Sequence, residues 1–295
     1  FTPEQVTRLA LAIGSFFEEG SKLLVGRDSR AGNSFIVKSV MSALLSAGIK
    51  VYYAGLTPTP ALQYYVKHHD FDGGIMMTAS HNPPEYSGIK VIVNDGIELP
   101  REAEREIEEI YWKRRFRRTS WSALGRDVKS VNDVNEFYIM GVLKLLDIEK
   151  IRKQRLKVVI DPANNVGALT TPRLLRTIGV KVTVINGDLS HLPDRRPEPV
   201  PENLVETAAV VKALRADIGI AHDGDADRAI FIDDKGRVIP GDRTAVLLCR
   251  HIVENRGERE PGRVVTAVSS STLVEEILSM YNIEVVWTQV GSIDI

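Results

Sequence analysis

Three aspartates alternate with small residues in one short segment, at Asp223, Asp225 and Asp227. The segment follows an apolar run typical of a β-strand, residues 217–221, and precedes another, residues 230–232. Carboxylates held this close in a tight loop repel one another, so a positive charge must lie among them. Oxygen ligands suit hard divalent cations, and an open set of three, completed by water or phosphate, favours Mg²⁺ over a closed Ca²⁺ cage. We therefore predict a magnesium site here; a solvated acidic turn is the weaker alternative.

An EF-hand is the rival metal-binding motif for this segment. It would place the three aspartates at its first, third and fifth positions, but it requires Gly at the sixth and Glu at the twelfth. This chain has Arg228 and Asp234 there. The predicted flanking elements are also strands, whereas an EF-hand loop joins two helices. We therefore exclude the EF-hand.

A second segment that could do chemistry is the loop at residues 78–90, which follows an apolar run, residues 73–77. Two adjacent prolines stiffen it. Ser80 beside His81 pairs a candidate nucleophile with a candidate base, and Lys90 is a candidate phosphate contact. The alternative, of equal weight on this loop alone, is a proline turn whose polar side chains cap backbone groups. No Asp–His pairing supports a hydrolytic triad.

Two arginines, Arg27 and Arg30, lie at the end of a predicted strand in the segment Gly-Arg-Asp-Ser-Arg. Ligands of open α/β sheets bind outside the carboxyl ends of the strands, and a guanidinium suits a phosphate. Ordinary surface charge is an alternative of comparable weight. The chain has neither Gly-x-Gly-x-x-Gly after a strand nor a Walker A loop, so nucleotide binding has no support.

The elements that must position these residues occur as a repeat of strand, polar loop, helix, helix stop and strand. The first strands of the three repeats are Leu23–Val25, Lys157–Ile160 and Arg263–Val268. The stops are Gly48, Gly179 and Asn282, residue types that end a helix in the left-handed conformation. Strands joined through helices form right-handed crossovers in a mostly parallel sheet. We predict an α/β fold of repeated domains with mixed, mostly parallel sheets, with units at residues 1–131, 132–235 and 236–295, the last one incomplete.

Two further segments are predicted to lie at the surface. Pro193–Glu202 is rich in proline and cannot form a helix or a central strand, so we expect a connection. The acidic stretch Glu102–Glu109 is followed by the basic stretch Lys113–Arg118 on what reads as one helix. A solvated helix face whose charges compensate one another fits this pattern better than a nucleic-acid patch.

Composition is that of an ordinary globular protein of 295 residues, 43% of them hydrophobic, enough for about two domains and a sizeable core. Lys and Arg number 38 against 39 Asp and Glu, which argues against nucleic-acid binding driven by bulk charge. No apolar run reaches the roughly 18 residues of a membrane span. The single cysteine, Cys249, fits a reducing compartment, so we expect a cytoplasmic protein. The chain opens with Phe1 rather than Met, and we expect a piece of a longer protein; no pattern predicts an oligomeric state.

Five motifs, in order along nearly the whole chain, resemble those of the α-D-phosphohexomutases. This family includes phosphomannomutase/phosphoglucomutase and phosphoglucosamine mutase. The most specific motifs are Thr-Ala-Ser-His-Asn-Pro at residues 78–83, with Gly-Ile-Lys at 88–90, and Asp-Gly-Asp-Ala-Asp-Arg at 223–228. The others are Gly-Arg-Asp-Ser-Arg at 26–30, Thr-Pro-Thr-Pro at 57–60 and Arg-Pro-Glu-Pro-Val-Pro-Glu-Asn-Leu at 196–204.

The resemblance implies a Mg²⁺-dependent enzyme of the isomerase class that interconverts hexose 1-phosphate and hexose 6-phosphate through a hexose 1,6-bisphosphate. Ser80 would be the phosphoserine. Mg²⁺ would be bound by an oxygen of that phosphoserine and by the three aspartates. His81 is a candidate to carry the proton of the sugar hydroxyl, with a group elsewhere as the alternative. Positive charge around the transferring group would come from Arg27, Lys90 and Arg228.

The preferred sugar and the reaction type each have alternatives. Thr78 favours mannose and glucose phosphates, because family members that act on glucosamine phosphate usually have Ser there. The sequence lacks the family's glycine-rich segment before Thr2, its sugar-recognition loop and its fourth, phosphate-binding domain, so we expect a phosphoryl donor and a metal site without the sugar selector. The alternatives are a phosphoglucosamine mutase, a Mg²⁺-dependent phosphatase, and a non-catalytic sugar-phosphate-binding protein on the same scaffold.

Overall fold

The computed structural model of the protein describes residues 1–125, 127–189, 192–255, 262–291 and 293. Over these residues the chain forms ten α-helices, two short 3₁₀ helices and twelve strands in three sheets. None of the helices described is long and apolar enough to cross a lipid bilayer.

The first unit is a five-stranded sheet covered by helices. Its strands are β1 (Lys22–Arg27), β2 (Lys50–Leu56), β3 (Gly73–Met77), β4 (Ile89–Val93) and β5 (Lys129–Ser130). Its helices are α1 (Pro3–Phe16), α2 (Asn33–Ser46), α3 (Thr59–His68) and α4 (Arg101–Lys113). The strand order is β4-β3-β1-β2-β5, and only β4 runs antiparallel to its neighbour. The sheet is therefore mixed and mostly parallel, as predicted.

The side chains of β1 point alternately to the two faces of the sheet, and apolar residues on both faces explain why both carry helices. Leu23 and Val25 belong to the apolar cluster that includes Val40 of α2, whereas Leu24 belongs to the cluster that includes Leu62 of α3. Successive side chains of a strand point to opposite faces, so a continuous apolar run requires cover on both sides. The carboxyl ends of the strands are left for loops that can carry chemistry.

The second unit repeats the arrangement of the first. Its strands are β6 (Lys157–Asp161), β7 (Lys181–Val184), β8 (Ile218–His222), β9 (Ala229–Asp233) and β10 (Val238–Ile239). Its helices are α6 (Ile148–Gln154), α7 (Thr171–Thr177) and α8 (Val205–Ala213), with 3₁₀ helices at Val166–Leu169 and Pro201–Asn203. The helix α5 (Val134–Leu143), which precedes them, packs against α3 of the first unit. In the order β10-β9-β8-β6-β7, β6 lies between β7 and β8 just as β1 lies between β2 and β3. The loop after β8 is thus the structural equivalent of the loop after β3.

The third unit contributes a single parallel strand pair with two helices. Its elements are α9 (Gly241–Asn255), β11 (Arg263–Ala267), α10 (Leu273–Ser279) and β12 (Glu284–Thr288). In all three units the predicted helix stops adopt the left-handed conformation, with φ of 78° at Gly48, 87° at Gly179 and 55° at Asn282. The predicted threefold repeat of strand, helix and strand is confirmed; the unit boundaries at residues 131 and 235 stay predictions.

The structure differs from the sequence-based expectation in both segments that were predicted to lie at the surface. The expectation that the acidic and basic stretches share one helix is wrong. The helix α4 ends at Lys113, because Arg114 has a φ of 52°, and the rest of the basic stretch follows it. Lys113 and Arg115 both pair with Glu109, so these charges do compensate one another. The proline-rich segment was predicted to contain no helix, and that is wrong for its end. Pro201–Asn203 forms a 3₁₀ helix, since the fixed φ of proline suits a first helical position.

Candidate active site

The two segments that the sequence analysis singled out meet, although they belong to different units. We call residues 78–88, between β3 and β4, the Ser80 loop, and residues 223–228, between β8 and β9, the Asp223 loop. The Ser80 hydroxyl donates a hydrogen bond of 2.6 Å to Asp223 Oδ2. Both loops leave the carboxyl end of a parallel strand, which is where open α/β sheets place their ligands.

The three aspartates form the compact cluster that a metal ion would need. Oxygen atoms of Asp223, Asp225 and Asp227 all lie within 4.8 Å of one another. Asp223 and Asp225 are fully buried, and the Asp227 side chain is 30% exposed. Asp225 Oδ1 is buried and has no hydrogen-bond partner in the described part of the chain, a state that is costly for a carboxylate oxygen unless a cation binds it. The residues present therefore fit a divalent cation that prefers oxygen ligands.

Crowding and burial disfavour the negative form of two of these carboxylates. Burial, followed by the charges of Asp225 and Asp227, raises the pKa of Asp223 to about 8. Burial and the Asp227 charge likewise raise the pKa of Asp225. Each raised pKa means that the carboxylate form of the aspartate is disfavoured at this position. A bound cation would stabilise that form.

Lys90, in β4, is the positive group that the fold brings to the cluster. Its Nζ lies 3.1 Å from Asp227 Oδ2, 3.7 Å from Asp225 Oδ2 and 3.1 Å from Glu98 Oε1. Burial lowers the pKa of Lys90, but these carboxylates together outweigh it and raise that pKa, so the group stays an ammonium ion. The sequence motif predicts a role for Lys90 but not for its partner Glu98, because nothing in the local pattern links the two.

Hydrogen bonds between buried polar groups hold the start of the Ser80 loop. Thr78 Oγ1 accepts from the Ser80 N–H at 2.9 Å and donates to Asp28 Oδ2 at 2.9 Å. Burial raises the pKa of Asp28 to about 6, although Arg30 acts in the opposite direction. The Thr78 hydroxyl is therefore used to support the loop, which weakens its value as a sign of sugar preference.

The remaining candidate residues lie around this centre in different ways. His81 is half-buried, and its Nδ1 is buried with no hydrogen-bond partner among the described residues. Arg228 is exposed, and its backbone N–H donates to Asp223 Oδ1 at 3.2 Å. Arg27 is held at the end of β1, where its Nε donates to the Tyr53 hydroxyl at 3.2 Å. Of the three basic side chains predicted to surround the phosphoryl group, only Lys90 forms an ion pair with the acidic cluster among the described residues.

Arg30, which the sequence analysis paired with Arg27 as suited to phosphate, is not available for one. Its side chain is 3% exposed, and its guanidinium forms an ion pair with Asp28 and hydrogen bonds to carbonyl groups of the Ser80 loop. A phosphate would have to displace these internal bonds.

Close packing between the two units sets the distance between the loops. A Cβ on Gly224 would lie 2.6 Å from the carbonyl oxygen of Ser80, so only glycine allows this approach. Thr59, in the Thr-Pro-Thr-Pro motif, donates its N–H to the Asp225 carbonyl at 3.0 Å and its hydroxyl to Asp225 Oδ2. The Ser29 N–H donates to Asn165 Oδ1 at 2.9 Å. The Thr-Pro-Thr-Pro motif is visible in the sequence, but the role of Thr59 is not, because its partner Asp225 is distant in the chain.

Family models cover most of the chain. The phosphoglucomutase/phosphomannomutase alpha/beta/alpha domain I model matches residues 1–118, the domain II model matches residues 136–236, and the domain III model matches residues 240–295.

Individual relatives agree with these models. The chain is 54% identical, over all of its length and 65% of the other, to a phosphoglucosamine/phosphogalactosamine mutase of Sulfurisphaera tokodaii. It is 40% identical, over 99% of its length and 64% of the other, to a phosphoglucomutase/phosphomannomutase of Thermococcus kodakarensis. The crystal structure of a proposed phosphomannomutase from Thermus thermophilus superposes with a TM-score of 0.88 at 28% identity, over 99% of this chain and 66% of that one. The chain spans slightly less than two thirds of the length of these relatives, and it belongs to the phosphoglucomutase/phosphomannomutase family, the α-D-phosphohexomutases.

Proposed function

We propose that the protein is a phosphohexomutase, which interconverts hexose 1-phosphate and hexose 6-phosphate through a hexose 1,6-bisphosphate. The observation that carries the proposal is the 2.6 Å hydrogen bond from Ser80 Oγ to Asp223 Oδ2. It puts a candidate phosphoryl carrier at a candidate metal site. A protein that only bound sugar phosphates would need no residue that takes up and returns a phosphoryl group.

The cation we propose is Mg²⁺, held by Asp223, Asp225, Asp227 and an oxygen of phosphorylated Ser80. The spacing of the three carboxylates and the unpartnered Asp225 Oδ1 support this ligand set. When bound, Mg²⁺ would offset negative charge on the phosphoryl group during transfer.

The residues of the chain have separate parts in the proposed transfer. The bond between Ser80 Oγ and phosphorus breaks as a bond forms between phosphorus and the free sugar hydroxyl oxygen. The hydroxyl proton passes to a base, and Ser80 Oγ takes up a proton, which regenerates the serine hydroxyl. His81 is our candidate base, because it adjoins Ser80 and its Nδ1 has no partner among the residues described. Lys90, Arg27 and Arg228 are proposed to supply positive charge, since phosphoryl transfer depends mainly on alignment and electrostatic stabilisation.

Two sugar classes are candidates. Mannose and glucose phosphates are the first proposal, supported by the name of the Thermococcus kodakarensis relative. Glucosamine and galactosamine phosphates are the second, and the 54% identity to the Sulfurisphaera tokodaii enzyme favours them.

A substrate panel followed by ³¹P NMR tests the function and separates the alternatives. The purified protein is given Mg²⁺, a trace of glucose 1,6-bisphosphate and the 1-phosphate of glucose, mannose, glucosamine or galactosamine in turn. We expect conversion to the 6-phosphate for at least one of them. Release of inorganic phosphate without isomerisation would identify a phosphatase, and binding without either reaction would identify a binding protein.

A further inference from the structure

The guanidinium of Arg30 has all of its hydrogen-bond donors satisfied inside the protein. An arginine offers five N–H groups in a planar fork. Nε donates to Asp28 Oδ2 at 3.1 Å. The other four N–H groups donate to carbonyl oxygens of the Ser80 loop, those of Ser80 at 2.6 Å, Asn82 at 2.8 Å, Pro83 at 2.7 Å and Tyr86 at 3.1 Å.

We propose that Arg30 is the positioning residue of Ser80, in that it holds the Ser80 loop in the conformation that aims the serine hydroxyl at Asp223. The proposal rests on the proposed function. Ser80 has a φ of 49°, a left-handed conformation that residues with a Cβ adopt rarely and at a cost. The shortest of the four Arg30 bonds goes to the carbonyl of this same residue. A charged donor at that carbonyl stabilises a backbone conformation that the loop would otherwise leave.

The same carbonyl oxygen also lies close to the Asp223 loop. A Cβ on Gly224 would lie 2.6 Å from the Ser80 carbonyl oxygen and 3.3 Å from Arg30 Nη2. The Ser80 carbonyl oxygen is therefore close both to Arg30 and to the loop that carries the acidic cluster. A small displacement of Arg30 would move the serine relative to Asp223, and displacements of about 1 Å can lower a transfer rate by about a hundredfold.

The second unit has a similar buried Asp–Arg pair, formed by Asp161 and Arg195. Arg195 Nε donates to Asp161 Oδ2 at 2.8 Å, and its Nη2 donates at 2.7 Å to the carbonyl of His222, the residue just before Asp223. Asp28 directly follows β1 and Asp161 is the last residue of β6, so both acids lie at the carboxyl end of the first strand of their unit. In each unit the arginine of a buried Asp–Arg pair at the end of the first strand thus donates to a carbonyl at the end of the third strand or in the loop after it.

Arg117 provides a matched control in the same unit. Its guanidinium also donates to three carbonyl oxygens, those of Ala47 at 2.8 Å, Phe17 at 2.6 Å and Gly14. These carbonyls lie at the ends of α1 and α2, which lead into the amino ends of β1 and β2, away from the Ser80 loop. Replacement of either arginine by lysine keeps the charge but removes the planar fork and two donors.

The experiment compares Arg30→Lys, Arg117→Lys and the wild-type protein with two measurements. One is hydrogen–deuterium exchange of peptides that cover residues 78–88. The other uses protein that has been phosphorylated with glucose 1,6-bisphosphate, and follows transfer of the phosphoryl group to a hexose phosphate and its loss to water. If Arg30→Lys does not fold, Arg30→Gln replaces it, because the glutamine amide can still donate to loop carbonyls.

For Arg30→Lys we expect faster exchange across residues 78–88, transfer slowed by about tenfold or more, and a larger share of phosphate lost to water. For Arg117→Lys we expect both measurements within about twofold of the wild type, because its bonds lie away from the Ser80 loop. Wild-type exchange and transfer in Arg30→Lys would overturn the proposal, and so would an equal loss in both variants. If the wild-type protein takes up no phosphoryl group, the proposed function fails, while the exchange measurement still decides whether Arg30 holds the loop.

Discussion

The hydroxyl of Ser80 donates a 2.6 Å hydrogen bond to Asp223 Oδ2, although 143 residues separate the two in the chain. The bond joins structurally equivalent loops of two repeated sheets, one after β3 and the other after β8. Because four strands of each unit follow the same order, the equivalent loops bring a hydroxyl from one unit to a carboxylate from the other. The proposed phosphoryl transfer depends on this pairing, because it brings the phosphate carrier and the cation ligands together.

Replacement of Gly224 by alanine should separate the two loops. The new Cβ would lie 2.6 Å from the Ser80 carbonyl oxygen, so one loop must move. We expect phosphoryl transfer to fall by about 10- to 100-fold, with a loss of about 1–3 kcal/mol in the free energy of unfolding. Single-turnover transfer and urea unfolding measure the two effects. The control is Gly241→Ala, whose Cβ would meet its nearest atom, Ile230 Cδ1, at 3.9 Å and should change neither quantity. Wild-type transfer in Gly224→Ala would contradict the close approach of the loops.

Replacement of Lys90 by methionine should strengthen Mg²⁺ binding while it slows transfer. The Lys90 ammonium lies 3.1 Å from Asp227 and 3.7 Å from Asp225, so it competes with Mg²⁺ for these two carboxylates. Because the Lys90 side chain is 24% exposed, we expect binding only about threefold to tenfold tighter, measured by calorimetry on the unphosphorylated protein. Transfer should slow because positive charge near the phosphoryl group is lost. Lys90→Arg should keep the wild-type affinity. Weaker Mg²⁺ binding in Lys90→Met would show that its charge does not oppose the cation.

Replacement of Asp223 by asparagine should flatten the pH dependence of stability in metal-free protein. Burial, and then the neighbouring carboxylates, raise the pKa of Asp223 from 3.8 to about 8 in the folded state. Between these values the folded protein binds more protons than the unfolded chain, so its stability falls as the pH rises. From pH 5 to 7.5 in EDTA, we expect the free energy of unfolding of the wild type to fall by roughly 1–3 kcal/mol relative to Asp223→Asn.

Urea unfolding in EDTA at several pH values measures that difference, and a difference that stays constant with pH would contradict it. Saturating Mg²⁺ provides the control, since a ligand that binds only the folded state stabilises it. The wild type should gain more stability from Mg²⁺ than Asp223→Asn does.

Those parts of the fold and site that depend on local chemistry could be predicted from the sequence. Carboxylates at alternate positions between two apolar runs leave few interpretations, which is why the acidic cluster was found. The left-handed stops at Gly48, Gly179 and Asn282 likewise follow from residue type and position, and the structure confirms them. Such features need no knowledge of how distant segments pack.

The contacts that assemble the site are non-local and could not be predicted in this way. Thr59 meets Asp225 across 166 residues, and Arg30 meets the Ser80 carbonyl across 50. An arginine near the end of a strand suits either a phosphate or a set of backbone carbonyls, and only tertiary packing decides between them. The same applies to Thr78, whose buried hydroxyl supports the loop and so gives little evidence for a preferred sugar.

The most direct test of the pairing between Ser80 and the acidic cluster is the mass of the protein after incubation with glucose 1,6-bisphosphate and Mg²⁺. We predict a gain of about 80 Da that maps to the peptide containing Ser80. The gain should disappear in Ser80→Ala, which should fold normally, and in EDTA. No gain in the wild type, or an equal gain in Ser80→Ala, would contradict the assignment of Ser80 as the phosphoryl carrier.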